Sequence, residues 1–105
     1  MNFYKKMYPR SLQIPYILIS VILDNPHVKK SKTYILKSVE FFDTLKQEVE
    51  EYSKIYKEQN RLEAISLELI YDDCSYLEYA YIENDDELND AIEHLKEEYL
   101  LLKLG

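Results

Sequence analysis

The fold is decided by one stretch, residues 65–104, with the sequence ISLELIYDDCSYLEYAYIENDDELNDAIEHLKEEYLLLKL. Apolar side chains occupy every second position in residues 65–71, and residues 77–82 alternate in a similar way. A period of two is typical of β-strands with one face in the core. Asp72, Asp73, Cys74 and Ser75 separate the two segments and predict a turn. The stretch therefore begins as two strands joined by an acidic turn.

A helix is predicted after the second strand. Asn84 is the expected N-cap, because its side chain can accept a backbone N–H and Glu87 follows three residues later, as in a capping box. The apolar residues that follow at helical spacing are Leu88, Ala91, Ile92, Leu95 and Tyr99. The apolar residues 100–104 are predicted as a short closing strand.

Working outward, the N-terminal half predicts a hairpin followed by a helix. Residues 1–13 show no clean period and are interpreted as a loose N-terminal arm, with the folded domain at 14–105. Residues 16–23 are β-branched and predict a buried strand, which the Asp-Asn-Pro sequence at 24–26 ends. Residues 29–32 are predicted as a basic loop and residues 33–37 as the returning strand.

Leu45, Val49 and Tyr52 recur at helical spacing and predict the first helix, with Asp43 as its expected N-cap. We expect it to end near Asn60, because residues 58–61 offer no apolar contact. The predicted order is thus ββαββαβ. A chain of 105 residues makes one domain. We expect an α+β fold with a mixed five-stranded sheet and two helices on one face, as in the ubiquitin-like β-grasp.

Charge is distributed unevenly along the chain. Residues 65–104 hold twelve acids against two lysines, whereas residues 1–37 hold seven bases against one acid. The acids form two tight clusters, Asp72–Asp73 and Asp85–Glu87. A net charge of −7 argues against direct binding of nucleic acid. Lys29, Lys30 and Lys32 form a second, basic candidate surface.

Catalytic and cofactor chemistry find little support in the sequence. The single glycine is Gly105, so no glycine-rich loop is available for a phosphate. Two histidines and one cysteine lack zinc spacing, and the acidic turn lacks the glycine of a calcium loop. We therefore predict a non-enzyme with no metal and no cofactor. The apolar run near the start is too short for a membrane span, and we expect a cytoplasmic protein.

The acidic stretch resembles the acidic signature, the OPCA motif, of the Phox–Bem domain. Tyr71 ends a strand, Asp72 and Asp73 follow, and residues 84–92, NDDELNDAI, are similar to the acidic start of that family's second helix. The turn of the family usually contains glycine, and this chain has none there. The resemblance implies a β-grasp interaction module whose acidic side chains are Asp72, Asp73, Glu78, Asp85, Asp86 and Glu87.

Two functions follow as hypotheses. The first is a scaffold or signalling module that binds a basic-faced partner domain as a heterodimer, with self-association through the basic N-terminal region left open. The alternative is a free-standing acidic inhibitor, antitoxin-like, that blocks a basic nucleic-acid-binding site. A module concentrates its acids at adjoining loops, whereas a mimic of nucleic acid spreads them along one long surface.

Overall fold

The computed structural model describes residues 1–6, 15–71 and 76–104. In this part of the chain, five strands and two helices occur in the order βββαββα. They are β1 (Asn2–Lys6), β2 (Tyr16–Asp24), β3 (His27–Ile35), α1 (Phe41–Glu58), β4 (Leu62–Ile70), β5 (Tyr76–Ile82) and α2 (Asp85–Leu104).

The strands form one sheet in the order β1-β5-β4-β2-β3. Every pairing between the described strands is antiparallel. The α+β class with a five-stranded sheet and two helices is therefore confirmed. The predicted mixed sheet and the order ββαββαβ are wrong, and the β-grasp arrangement is not confirmed.

The closing strand predicted at 100–104 is part of α2, which continues to Leu104. The helical spacing of buried Leu95 and Tyr99 extends to Leu102, which packs against the core from the helix. Leu100 and Leu101 instead remain exposed. The predicted closing strand is therefore wrong. In a window of five apolar residues, periodicity alone does not distinguish the end of a helix from a short strand.

The N-terminal arm predicted at 1–13 is wrong for residues 2–6, which form the edge strand β1. This strand pairs with β5, with Phe3 opposite Tyr79. Their ring centroids lie 5.2 Å apart. Residues 7–14 lie outside the described part of the chain.

The basic loop predicted at 29–32 is also wrong, because these residues belong to β3. Asn25 and Pro26 alone form the turn, so β2 and β3 pair over their whole length from Asp24 opposite His27 to Tyr16 opposite Ile35. The tight turn leaves no residues for a loop, and the lysines therefore lie along a strand.

The two helices cover the same face of the sheet, which we call the helix face. α1 contacts β2 and β4, and α2 contacts β4 and β5. One hydrophobic cluster joins them to the sheet, with fully buried members Ile17, Ile19, Leu45, Val49, Leu67, Leu69, Ala91 and Leu95. We call the opposite sheet face the far face.

The ends of α1 differ in how well the sequence predicts them. The helix begins two residues before Asp43, with Glu40 as N-cap and no side-chain cap hydrogen bond, so the predicted Asp43 cap is wrong. The C-terminus confirms the prediction: Asn60 has φ 55°, its N–H binds Lys57 O, and Arg61 N–H binds Tyr56 O at 2.9 Å. These two bonds form a Schellman motif, in which asparagine tolerates the left-handed conformation.

A bulge in β5 fixes which side chains reach the core near its end. The β4–β5 register shifts between Ile65 and Leu67, and Tyr81 has φ 56°. The irregularity leaves Tyr81 exposed and places Ile82 in the core, next to the start of α2. Neither helix, over its described residues, is apolar enough along its length to cross a membrane.

Candidate acidic binding site

The start of α2 is a defined structure rather than a frayed end. The Asn84 Oδ1 accepts the Glu87 N–H at 2.9 Å, and the Asn84 Nδ2 donates to the Glu87 Oε1 at 3.0 Å. The Leu88 N–H binds the Asn84 carbonyl oxygen at 3.0 Å. This confirms Asn84 as the N-cap. The cap holds the backbone of the first turn of α2, which carries the acidic residues, in one conformation.

The three acids of the first turn differ in their environment. Asp85 and Asp86 are exposed. Glu87 is half-buried and its Oε2 lies 2.6 Å from the amino nitrogen of Met1. The hydrogen bond to the N-terminal ammonium lowers the pKa of Glu87. Asp85 and Asp86 are therefore the exposed acids of this turn, whereas the negative charge of Glu87 is paired with the N-terminal ammonium.

A cleft of about 340 Å³ lies beside the first turn of α2, between the end of α1 and the start of β4. Its apolar lining comes from Ile65, Ile82 and Leu88, which lie on β4, β5 and α2. The acidic residues Glu63, Glu83 and Asp85 line it together with Lys57 and Asn60. An apolar wall with carboxylates around it suits a lysine or arginine side chain, whose stem is apolar and whose end is positive.

A line of acids continues along α2. Asp86, Asp90, Glu93 and Glu97 are all exposed and recur at spacings of four, three and four residues. Such residues lie on one side of a helix, about one turn or 5.4 Å apart. This line is not among the acidic residues predicted above, although the helical spacing that identifies the apolar side of α2 also reveals it.

Glu78 does not join the acids of α2. It alternates with the core residues Leu77 and Tyr79, so its side chain lies on the far face. There the Ser66 hydroxyl donates to the Glu78 Oε2 at 3.4 Å, and the Lys29 Nζ lies 3.9 Å from the same oxygen. Its partners are therefore neighbours in the sheet.

Glu68 is the residue directly opposite Glu78 on β4, and the two carboxyl groups interact. The Lys29 Nζ lies 3.6 Å from the Glu68 Oε1. Burial, reinforced by the hydrogen bond and negative charge of Glu78, raises the pKa of Glu68 from 4.5 to about 7. Lys29 opposes this change but does not cancel it, because a single ammonium serves both carboxylates. Like charges opposite each other on a sheet are destabilising.

Asp72 and Asp73 lie outside the described residues. Tyr71 and Tyr76, which flank them, lie at one end of the β4–β5 pair, whereas Asp85 follows the other end of β5. A seven-residue strand separates these ends, a length of about 20 Å. The described flanks therefore give no support to the adjoining acidic loops that the module hypothesis requires.

The basic residues lie at the opposite side of the sheet. Lys29, Lys30 and Lys32 are exposed on β3, which is the edge strand farthest from β1. The Lys30 Nζ lies 5.6 Å from the centre of the Tyr56 ring, and the Lys32 Nζ 5.1 Å from that of Tyr34. The Tyr34 hydroxyl donates to the Glu48 Oε2 at 2.9 Å.

Residues suited to metal binding are not grouped in the described ranges, where no three His, Cys, Asp or Glu side chains are placed to share an ion. The Nδ1 of His94 instead lies 2.9 Å from the Tyr79 hydroxyl oxygen.

No protein-family model matches this chain, and neither a curated protein nor a solved structure does.

Proposed function

We propose that this protein is a non-catalytic interaction module that binds a basic-faced partner domain through the acidic start of α2. The observation that carries the proposal is the acid-lined cleft beside Asp85, with apolar walls from Ile65, Ile82 and Leu88. Asp85 and Asp86 stand exposed beside it on a capped helix end.

The physical argument concerns charge and preorganisation. Asp85 and Asp86 are exposed acids in the first turn of α2, so a lysine or arginine of a partner can form an ion pair with either of them. The cap formed by Asn84 holds the first turn in place before binding, which reduces the entropy lost on association. Charge pairs of this kind set the association rate and the choice of partner.

The resemblance of residues 84–92 to the Phox–Bem acidic motif supports the same partner chemistry, namely a domain with a lysine and arginine surface. Under this proposal the contribution of Glu78 is indirect, because it lies on the far face with Lys29 and Ser66. The proposal therefore rests on the α2 end of the motif alone.

The line of acids on α2 favours a second candidate function, an acidic inhibitor that blocks a basic nucleic-acid-binding site. Asp86, Asp90, Glu93 and Glu97 present four carboxylates in a row along one side of the helix. A row of charges spaced by about one helical turn can follow a basic groove that normally holds a phosphate backbone.

Titration calorimetry with a basic-type Phox–Bem domain as the probe tests the first function. We expect Asp85→Asn/Asp86→Asn to weaken binding by about tenfold or more. The matched control is Glu50→Gln/Glu58→Gln, which removes the same charge from exposed positions of α1 and should leave affinity within about twofold. Equal losses in both variants, or no loss in the first, would contradict the proposal.

The second candidate is tested by inhibition of a basic ribonuclease. Inhibition that disappears in Asp90→Asn/Glu93→Gln/Glu97→Gln and persists in Asp85→Asn, which leaves the line of acids intact, would favour the acidic inhibitor over the module. A ribonuclease that keeps full activity with excess protein would count against it.

A further inference from the structure

We propose that the outer edge of β3 is a second binding site, which accepts an extended acidic segment of another protein as an added antiparallel strand. β3 is a nine-residue edge strand whose ladder is fully paired with β2 on one side. On its other side, none of the described strands pairs with it. Edge strands carry backbone N–H and C=O groups that can pair with an incoming strand.

The side chains of β3 define the charge of the partner. Lys30 and Lys32 are two residues apart and lie on the helix face, opposite the buried Val21 and Ile19 on β2. Lys29 lies on the far face, where Glu68 and Glu78 already accompany it. Cross-strand neighbours have Cβ atoms about 5 Å apart. Glutamate or aspartate at alternate positions of an added strand would therefore meet Lys30 and Lys32 directly.

Aromatic side chains of α1 and β3 accompany these lysines on the helix face. Tyr34 and Tyr56 lie under the ammonium groups of Lys32 and Lys30, and Ile55 is 55% exposed on α1. Between the described residues, the ion pairs found on β3 use Lys29 and His27 rather than Lys30 or Lys32. The hydrogen bond to Tyr34 and the nearby Glu48 carboxylate raise the pKa of Lys32. Lys30 and Lys32 are both exposed, so an acidic strand can reach both ammonium groups, with apolar surface nearby for its remaining side chains.

A second copy of this chain is a poor occupant of the same edge. Antiparallel pairing of two β3 strands would place lysines of one copy opposite lysines of the other, which is destabilising. Lysines on an edge strand are a common device against self-pairing. The same charges attract an acidic strand, so they select for a different chain. The site is separate from the acidic start of α2, because α2 contacts β4 and β5 whereas β3 is the edge strand beyond β2.

The test uses the full chain and a fluorescein-labelled peptide of the same length as β3, nine residues, with alternating glutamate and valine. We expect a saturable rise in anisotropy that a lysine–valine peptide does not produce. Lys30→Glu/Lys32→Glu should weaken binding by about tenfold or more, because two attractive contacts become repulsive. The matched control is Lys46→Glu/Lys54→Glu, which changes the net charge equally at a half-buried and an exposed position of α1 and should bind like the wild type.

A probe with N-methyl groups on alternate residues tests backbone pairing without any change to the protein. Methylation along the edge that faces β3 removes the N–H donors and should abolish binding, whereas methylation along the other edge should have little effect. Equal binding of both methylated peptides would overturn the proposal, since charge alone would then explain it. Displacement of the peptide by single-stranded oligothymidylate, or equal loss in the two charge variants, would also overturn it.

Discussion

Replacing Glu68 by glutamine should stabilise the protein at neutral and alkaline pH. Glu68 lies opposite Glu78, and burial together with that neighbour raises its pKa from 4.5 to about 7. A group whose pKa is raised by folding contributes stability that is fully present below the pKa of the unfolded chain. That contribution is lost as the pH rises through the pKa of the folded state. Ionised Glu68 therefore destabilises the native protein above pH 7.

The size of the effect follows from the two pKa values of Glu68. The rise from 4.5 to about 7 corresponds to about 3 kcal/mol in the free energy of unfolding. Solvent reaches part of the carboxyl pair, and Lys29 offsets some of the repulsion at 3.6 Å. About 1–2 kcal/mol therefore remains at alkaline pH. Glutamine has the shape of a protonated glutamic acid and cannot ionise.

Urea unfolding of wild type and Glu68→Gln at a series of pH values, from about 4 to about 8.5, measures this difference. We expect the two proteins to be equal near the acidic limit and the variant to be more stable by about 1–2 kcal/mol at the alkaline limit. Glu50→Gln is the control, because Glu50 carries the same charge and lies at an exposed position of α1. A difference between Glu68→Gln and wild type that does not change with pH would refute the reasoning.

Two further predictions concern stability. Leu67→Ala should lower the free energy of unfolding by about 3 kcal/mol, because Leu67 is fully buried in the core between the helices and the sheet. Its control is Ile35→Ala, at an exposed position of β3, which should change the free energy of unfolding by less than about 0.5 kcal/mol. Asn84→Ala should cost about 1 kcal/mol through loss of the α2 cap, and Asn89→Ala at an exposed position of the same helix should cost little. Urea midpoints at constant slope measure both effects, and a larger loss in either control than in its partner variant would contradict them.

Local signals predicted much of the structure. The β-branched run at 16–23 and the alternation at 65–71 became β2 and β4. The α2 N-cap and the end of α1 near Asn60 were also correct, because capping and left-handed conformations depend on a few adjacent residues. Two of the wrong secondary-structure predictions fell on short segments. The residues of β1 show no clean hydrophobic period, and the end of α2 is so rich in apolar residues that a helical period is not visible there.

The candidate site was predicted only in part, for a reason that involves the sheet. The spacing of acids identified Asp85 and Asp86, which are exposed as expected. It could not show that Glu78 lies on the far face, nor that the length of β5 separates Tyr76 from the start of α2. The position of a side chain on a strand depends on which face the helices cover, and that depends on residues distant in sequence.

By itself, the sequence determined the α+β class, the acidic character of residues 65–104 and the capped start of α2. These properties depend on composition, on hydrophobic period and on contacts between residues a few positions apart. Only the tertiary structure decided that the sheet is antiparallel, that Lys30 and Lys32 lie on an edge strand, and that an apolar cleft adjoins Asp85. Each of these requires strands or helices from different parts of the chain to pack together, and that packing lowers the free energy of the whole fold rather than of any one segment.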